Sequence, residues 1–570
     1  MHPRFFAIVA GLLALTGSES LAKPIIRGPA LVSAQGVVSA ADPRAAEAGA
    51  EMLRQGGNAV DAAFATLVAL NVVEPQSSGI GGGGYLVYSQ RGSSPVTFDG
   101  RETAPHAATG TWFYKGGQPM GHEEAIPGGK SVGVPGNLRM MALAHRRYGK
   151  LPWADLFQPA IKLARDGFKV TPRLYNSLNQ FRKTGALSPA ARAIFYRADG
   201  SPLPVGTTVR NPAFAEFLEA IAKRGPESFY IGPNARAITA TVNGSALHPS
   251  KMTIGDIASY DAKSRPPVCG NYRGYRICGM GPSSSGGTTV FETLKQLERF
   301  NLSALGVNSP TAWHLIAESM RLAYADRDRY LADVDYVPVP VAGLMDSAYL
   351  AGRSALISPD RAIAHVTSGV PAGAPKQTCS GEIVEEQGTS HFVAVDGQGN
   401  VASETSTIES PFGSGLMVSG YYLNNELTDF NIVPDKNGCP TANRVEGGKR
   451  PRSSMSPTIV WGPDGRVRLA IGAAGGATIP AQVLKAIIGV IDWHLTAQQA
   501  IALPVIFAPG TDTVYVERGT FLEQMAPRLE ALGHKVAVRD PSFKANAVEL
   551  LNGRWTGAAD PRSEGAAVSQ

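Results

Sequence analysis

The sequence has 570 residues, 44% of them hydrophobic, and a formal charge of +6, which is enough length and apolar content for a large folded core. Its Lys and Arg residues are dispersed, and the densest patch (Arg444, Lys449, Arg450 and Arg452) is short, so the composition argues against nucleic-acid binding. No segment beyond the N-terminal region has about 20 uninterrupted apolar residues. We therefore expect no membrane span in the mature protein.

The first 22 residues predict the compartment. His2 and Arg4 precede the apolar run FFAIVAGLLALTG, and small residues end the segment at Ala22. A short basic region, a short apolar stretch and a small-residue cleavage site are typical of a secretory signal peptide. We predict cleavage after Ala22 and a periplasmic or secreted protein, with an N-terminal membrane anchor as the alternative.

Two helices and a glycine-rich loop follow. Asp42 and Pro43 predict the start of the first helix, and Asn58 predicts the cap of a second, buried helix that ends before Pro75. The run 79–84 matches GxGxxG, but a dinucleotide site needs a strand before this motif and a helix after it. Here the order is helix, loop and strand. We interpret the run as a tight loop where backbones approach closely.

The rest of the chain predicts one α/β sandwich. The pattern of 132–358 is mostly helical, and 359–388 is rich in Pro, Gly, Ser and Thr, which predicts an exposed linker. Strand patterns return from Thr389 onward. Strands at both ends with helices between them favour a layered fold over a row of separate domains.

Export would permit disulfides among the four cysteines. Cys269 and Cys278 flank an alternating stretch, which favours a local disulfide on a hairpin. Cys379 and Cys439 could bridge the segments before and after Thr389, or stay free. These spacings do not fit a zinc site, which would need closely paired ligands.

Thr389 could be a nucleophile only if it becomes a new N-terminus. A threonine in mid-chain has no base of its own to accept the hydroxyl proton. An N-terminal threonine carries an α-amino group with a pKa of about 7.7–8.0, which can accept that proton. That pair is a self-contained nucleophilic site. A cut between Gly388 and Thr389 would therefore create an active site.

A hairpin predicts the neighbour of Thr389. The stretches TSHFVAVD and VASETSTI are joined by DGQGN, a strong turn signal. If Val395 faces Val401, Thr389 lies opposite Thr407, and directly opposed residues point to the same face. A shorter loop of four residues would place Ile408 there instead.

Charged, serine and glycine residues elsewhere in the chain are candidates for binding groups. Glu409, Glu426 and Asp429 could together hold an ammonium group, although each alone is more often a surface charge. Arg101 is suited to a planar carboxylate, since its guanidinium binds with two prongs. The remaining candidates are a pair of serines for the same carboxylate and a pair of glycines whose N–H groups could face an oxyanion: Ser453, Ser454, Gly475 and Gly476.

Many short segments together resemble the γ-glutamyltranspeptidases, a family of N-terminal-nucleophile hydrolases. The matching segments span about 36–567: GGNAVDAA, VVEPQSSGIGGGG, RETAP, VPGN, YRGY, PSSSGG, GTSH, LNNE with DF, KRPRSSMSPT, GAAGGA and GAADPRSEGAA. The resemblance implies a four-layer αββα sandwich made as one precursor. Autocatalytic cleavage would give a heavy part, 23–388, and a light part, 389–570.

The resemblance also implies an activity and residue roles. Thr389 would attack a γ-glutamyl amide such as glutathione and form an acyl-enzyme, which water or an amino-acid or dipeptide acceptor would resolve. Thr407 would orient Thr389, and the resemblance implies no metal and no organic cofactor. Arg101, with Ser453 and Ser454, would bind the α-carboxylate of the glutamyl group. Glu426 and Asp429 would bind its α-ammonium. Gly475 and Gly476 would form the oxyanion hole.

Two departures from the family pattern bear on the donor. Glu409 stands where the family usually has asparagine, which could strengthen ammonium binding, raise a neighbouring carboxylate's pKa or mark a different donor. The stretch 430–449 looks short and has no aromatic gate, which predicts an open pocket that tolerates bulky donors. The alternatives are an acylase for glutaryl or cephalosporin-type side chains, a transpeptidase for poly-γ-glutamate, and an exported binding protein that is never processed.

Overall fold

The computed structural model describes residues 31–33, 35–381, 388–541 and 543–570. The signal peptide predicted for residues 1–22 lies outside this range. The described residues contain 25 strands. In chain order these are β1 (Leu31–Ser33), β2 (Val37–Ala40), β3 (Gly83–Ser89), β4 (Val96–Asp99), β5 (Tyr114–Lys115), β6 (Gln118–Pro119), β7 (Phe168–Lys169), β8 (Thr208–Val209), β9 (Lys263–Arg265), β10 (Val268–Tyr272), β11 (Tyr275–Gly279), β12 (Ser390–Val395), β13 (Val401–Thr407), β14 (Met417–Val418), β15 (Tyr421–Tyr422), β16 (Asp435–Lys436), β17 (Cys439–Pro440), β18 (Thr458–Trp461), β19 (Val467–Ala474), β20 (Ile506–Phe507), β21 (Thr513–Glu517), β22 (Lys535–Arg539), β23 (Lys544–Leu551), β24 (Arg554–Ala559) and β25 (Ala566–Ser569).

Helices make up most of the stretch 132–358, as the sequence predicts, and further helices lie before and after it. In chain order they are α1 (Pro43–Arg54), α2 (Ala59–Val73), α3 (His122–Ala125), α4 (Asn137–Tyr148), α5 (Gln158–Asp166), α6 (Pro172–Gln180), α7 (Arg182–Gly185), α8 (Pro189–Phe195), α9 (Pro212–Arg224), α10 (Glu227–Tyr230), α11 (Pro233–Asn243), α12 (Ile254–Ala258), α13 (Gly286–Leu297), α14 (Leu302–Leu305), α15 (Pro310–Tyr330), α16 (Val341–Leu344), α17 (Ser347–Ala355), α18 (Ile479–Ile491), α19 (Ala497–Ala502) and α20 (Phe521–Ala531).

Two antiparallel sheets of seven strands form the centre of the molecule. Sheet A has the order β1-β24-β23-β19-β18-β11-β10, and sheet B has the order β25-β2-β12-β13-β3-β4-β9. Strands from the two ends of the chain are neighbours in both sheets: β25 pairs with β2, and β1 pairs with β24. The chain on either side of Gly388 therefore belongs to one folded unit.

The side chains on each strand alternate between two apolar layers. On β12, Val393 and Val395 face the other sheet and pack in a cluster with Ile459 and Val548. Their neighbours on the same strand, including Phe392, point the other way, into a helical layer of α1, α2, α4, α5 and α9. Helices α13, α15, α18, α19 and α20 cover the outer face of sheet A. The predicted four-layer αββα sandwich is confirmed.

The predicted starts of the first two helices are also confirmed. Asp42 caps α1 by accepting a hydrogen bond from the Arg44 N–H, and Pro43 occupies the first turn. Asn58 and Asp61 form a reciprocal capping box at the start of α2. Every residue of α2 is buried, because sheet B and α5 surround it.

All four cysteines form disulfides. Cys269 and Cys278 lie directly opposite each other on the β10–β11 hairpin, as predicted, and are bonded. Cys379 is bonded to Cys439, which settles the choice that the sequence left open. This second bond joins the linker before Thr389 to the small exposed hairpin of β16 and β17, in the short stretch 430–449.

Among the described residues, no helix is both long enough and apolar enough to span a bilayer.

Candidate active site

Thr389 lies beside Thr407 at the end of the central hairpin. Val395 pairs with Val401 and Ser390 pairs with Ser406, so the register places Thr389 opposite Thr407, as predicted. The Thr389 hydroxyl donates to Thr407 Oγ1 at 3.0 Å. In the uncut chain Thr389 is only 2% exposed.

The backbone around Gly388 and Thr389 is crowded and strained. Thr389 has φ +87°, a left-handed conformation that a β-branched residue rarely adopts. Its N–H donates to the Ser77 carbonyl at 3.1 Å, which also accepts the Ile408 N–H. A side chain on Gly388 would overlap the carbonyl of Glu409. The Gly388–Thr389 bond is therefore in close contact with other backbone segments, at Glu409 on the Gly388 side and at Ser77 on the Thr389 side.

Arg101 lies in a buried cluster with two carboxylates. Its guanidinium forms ion pairs with Glu426 and Asp429, and all three side chains are 1% exposed. The same guanidinium donates to the carbonyls of Pro451 at 3.2 Å and Arg452 at 3.0 Å. The structure thus brings together the predicted carboxylate clamp and the predicted ammonium clamp, and in the uncut chain they bind each other.

Glu102 is a further carboxyl in this cluster that the sequence analysis did not single out. Burial raises the pKa of Glu102 to about 8, although Arg101 acts in the opposite direction. Burial also raises the pKa of Glu426, and the nearby charges of Glu102 and Asp429 act in the same direction. Burial and the crowding of these carboxyls therefore favour their protonated forms. A proton on either Glu102 or Glu426 would reduce the negative charge around Arg101.

The two serines lie on the segment that continues from the carbonyls bound by Arg101. The Ser453 N–H donates to the Ser283 carbonyl at 3.1 Å, and the Ser453 carbonyl accepts from Ser285. Ser454 Oγ accepts from the Arg327 guanidinium at 2.6 Å. The loop before α13 thus holds the backbone of Ser453, Arg327 holds the side chain of Ser454, and both serines are buried.

Gly475 and Gly476 form the turn between β19 and the short helix before α18. Their φ values are +121° and +55°, which explains why glycine occupies both positions. The Gly475 carbonyl accepts from the N–H and the hydroxyl of Thr478. Gly475 also lines a cleft of about 460 Å³. Earlier on β19, Gly472 packs against the ring of His391, so β19 passes close to the start of β12.

Glu409 is buried and lies next to the hydroxyl pair. Its N–H donates to Thr407 Oγ1 at 2.8 Å, so Thr407 receives hydrogen bonds from both Thr389 and Glu409. The Glu409 carboxylate accepts from Ser410 Oγ at 3.2 Å. The structure therefore places Glu409 with Thr407, apart from the ion pairs that Glu426 and Asp429 make with Arg101.

His391 is the histidine nearest to Thr389 along the chain, but it is not a base for it. Burial lowers the pKa of His391 to about 3. Its ring hydrogen-bonds to Thr405 Oγ1 at 2.8 Å. The side chain is held neutral between the sheets.

The family model described as Gamma-glutamyltranspeptidase matches residues 45–570. The chain belongs to the γ-glutamyltranspeptidase family. The resemblance predicted from the motifs is thereby confirmed, and the chain is an enzyme of this family.

Curated relatives match nearly the whole chain. Glutathione hydrolase proenzyme from Bacillus subtilis (strain 168) is 36% identical over 94% of this chain and 92% of its own length. The protein of the same name from Escherichia coli (strain K12) is 35% identical over 93% and 90%. Acylase ACY 1 proenzyme from Pseudomonas sp. (strain V22) is 36% identical over 94% and 93%.

Solved structures match the fold. Cephalosporin acylase from Bacillus halodurans superimposes with a TM-score of 0.84 at 26% identity, covering 98% of this chain and 99% of that one. A chain of Helicobacter pylori γ-glutamyltranspeptidase superimposes with a TM-score of 0.55 at 35% identity, covering 57% of this chain and 93% of that one.

Several residues of this γ-glutamyltranspeptidase site escaped the sequence analysis. Glu102 follows Arg101 directly in the segment RETAP, so the sequence could have indicated that it lies in the same cluster. Ser285 and Arg327, which hold the two serines, are far from them in sequence, and no motif indicated their roles. Glu74 and Lys544 are also buried, and both contact Ser390, the residue after Thr389.

Proposed function

We propose that this enzyme cuts its own chain between Gly388 and Thr389 and then transfers or hydrolyses γ-glutamyl groups, such as that of glutathione, through a Thr389 acyl-enzyme. The observation that carries the proposal is the 3.0 Å contact between the Thr389 and Thr407 hydroxyls. Thr407 is thus a polar partner for the hydroxyl of Thr389, the residue that would carry the new α-amino group after a cut. The proenzyme names of the relatives support the cut.

The conformation of the uncut chain supports self-cleavage. A left-handed non-glycine residue costs on the order of 1–3 kcal/mol, and Thr389 carries that strain next to the bond to be broken. The Thr389 hydroxyl would attack the Gly388 carbonyl, and the peptide nitrogen would leave as the new α-amine after taking up a proton. Water would then hydrolyse the ester, so that Gly388 becomes a C-terminus.

In the mature enzyme the new amine would serve as the base. Thr389 Oγ1 would lose its proton to the α-amino group and attack the γ-carbonyl of the donor. The α-ammonium would return the proton to the leaving amine, and an ester would remain on Thr389. Water or the amine of an acceptor would then attack the ester, releasing glutamate or a new γ-glutamyl amide. Thr407 would orient the hydroxyl throughout.

The buried charges would select the glutamyl group. Arg101 offers a planar pair of donors to the donor's α-carboxylate, with Ser453 and Ser454 alongside. Glu426 and Asp429 would accept from its α-ammonium. In the uncut chain Glu426 and Asp429 bind Arg101. The zwitterionic end of the glutamyl group would insert between them, with its ammonium on the carboxylates and its carboxylate on Arg101. Glu409, whose N–H donates to Thr407 Oγ1, would add a third acceptor from the side of the hydroxyl pair.

The N–H groups of Gly475 and Gly476 would stabilise the oxyanion, and the leaving group and acceptor would occupy the open side. The cleft beside Gly475 and a second cleft of about 450 Å³ beside Ser77 share Gln180 and Pro541 in their walls. A continuous surface therefore leads outward from the proposed reaction centre. A periplasmic or secreted location would suit this activity, and the N-terminal sequence supports it.

The donor series tests this function. We expect γ-glutamyl-p-nitroanilide to exceed glutaryl-p-nitroanilide by about 10²-fold or more in kcat/KM, because glutaryl would leave buried carboxylates without an ammonium. Initial rates of p-nitroaniline release, with and without a dipeptide acceptor, measure this.

The control is Asp429→Asn, which should reduce the glutamyl rate far more than the glutaryl rate. The similarity to an acylase and to a cephalosporin acylase structure favours one second candidate, an acylase for glutaryl-type side chains. A glutaryl rate equal to or above the glutamyl rate would establish that candidate and overturn the first.

The Cys379–Cys439 disulfide predicts a covalent link between the two parts. A cut after Gly388 leaves Cys379 in the heavy part and Cys439 in the light part. We expect the mature enzyme to run as one band on a denaturing gel without reductant and as two bands with it.

Two double variants calibrate that gel. Replacing Cys379 and Cys439 by Ser should give two bands without reductant. Replacing Cys269 and Cys278 by Ser should leave one band, because that disulfide lies within the heavy part. Two bands from the oxidised wild-type enzyme would contradict the link.

A further inference from the structure

Lys544 is a buried lysine placed between the nucleophile and the glycine turn. It begins β23, where it pairs with Ala474, the residue before Gly475. Its side chain is 1% exposed. The ammonium donates to Glu74 Oε2 at 2.8 Å and to Ser390 Oγ at 3.1 Å. A buried ion pair is weak evidence for stability, because desolvation offsets its attraction. Lys544 contacts Ser390, the residue after Thr389, so a role at the active site explains its burial better than a contribution to stability does.

The Lys544 ion pair reaches Thr389 by two routes. Ser390 Oγ donates to Glu74 Oε2 at 2.9 Å, so Lys544, Glu74 and Ser390 form a closed set of hydrogen bonds. The Lys544 ammonium also lies 3.5 Å from Ser77 Oγ, and the Ser77 carbonyl accepts the Thr389 N–H. After a cut, that nitrogen would be the α-amine. One of its hydrogen-bond partners and its next residue in the chain would both be in contact with Lys544.

The other charges around the pair are Arg173 and Asp42. Arg173 Nε lies 3.4 Å from the second oxygen of Glu74, and Asp42 acts on Lys544 by its charge. Burial lowers the pKa of Lys544 to about 8, although Glu74 acts in the opposite direction. Burial raises the pKa of Glu74, but Lys544 and Arg173 outweigh it and bring that pKa below its ordinary value. At neutral pH the pair is thus ammonium and carboxylate.

On the premise of the proposed function, we propose that Lys544 and Glu74 position Thr389 and set the pH at which its α-amino group becomes a free base. A nearby ammonium disfavours a second positive charge, so it frees the base at lower pH. A nearby carboxylate does the opposite. Lys544 and Glu74 are positioning residues here, because they act on Thr389 through Ser390 and Ser77.

The test is the acidic limb of the pH profile of kcat/KM, measured on fully matured enzyme with γ-glutamyl-p-nitroanilide. Lys544→Met should move the midpoint of this limb up by about one pH unit. Glu74→Gln should move it down by less, because Lys544 loses its own proton more readily without the carboxylate beside it. The double variant should return close to the wild-type midpoint. The donor's own ammonium titrates alike in every assay, so differences between variants belong to the enzyme.

Two further variants separate this role from a structural one. Lys485 is another buried lysine, held by carbonyls of 500, 501 and 503. Lys485→Met should lower thermal stability without moving the midpoint. Lys544→Arg keeps the cation and should keep the midpoint. If Lys544→Met does not mature, Glu74→Gln and Lys544→Arg carry the test.

Equal midpoints in Lys544→Met, Glu74→Gln and wild type, or equal loss of activity at every pH, would overturn the role of the pair. An active Thr389→Ala enzyme would instead overturn the proposed function. The two failures are therefore distinguishable.

Discussion

Replacing Thr389 by Ala is expected to leave the chain uncut and to reduce activity by roughly 10⁴-fold or more. Alanine removes the hydroxyl that donates to Thr407 at 3.0 Å, which under the proposed mechanism attacks both the Gly388 carbonyl and the donor. A denaturing gel with reductant should show one band of precursor size. N-terminal sequencing should not find TSHFVAVD.

Conservative variants of the same pair grade the effect. Thr389→Ser keeps the hydroxyl and should mature and retain activity. Thr407→Val keeps the shape but removes the oxygen that accepts from Thr389 and from the Glu409 N–H. It should slow both steps without abolishing either. If Thr389→Ala were cut at the same bond, the nucleophile for cleavage would lie elsewhere.

The sequence predicted the parts of this site that depend on local pattern. A turn signal of five residues fixed the register of β12 and β13, and the register alone placed Thr389 beside Thr407. Caps at Asp42 and Asn58 fixed the first two helices in the same way. Such features need only neighbouring residues, so they can be read from a single chain.

The contacts that were missed join residues hundreds of positions apart. Arg101 was assigned to a substrate carboxylate, and its ion pairs with Glu426 and Asp429 became visible only when sheets and loops were packed together. Lys544 gave no pattern at all, since one lysine at the start of a strand is usually a surface charge. Its role depends on Glu74, which the fold brings from the end of α2.

The second large effect is expected at Gly388, where Ala should slow maturation by about 10²-fold. A methyl group on Gly388 would overlap the Glu409 carbonyl, so the backbone must shift at the bond that Thr389 attacks. Displacing reacting atoms by about 1 Å can cost 10²-fold in rate. The measurement is the time course of conversion from one band to two on a reducing gel.

The same substitution separates cleavage from catalysis. Under the proposed cut, Gly388 ends the heavy part and takes no part in turnover, so the fraction of Gly388→Ala that matures should have the wild-type kcat. The control is Gly352→Ala in α17, where an added methyl group has open space and should change neither rate. Maturation of Gly388→Ala at the wild-type rate would mean that the crowding against Glu409 does not hold the scissile bond. Normal maturation with a reduced kcat would mean instead that Gly388 stays at the reaction centre after the cut.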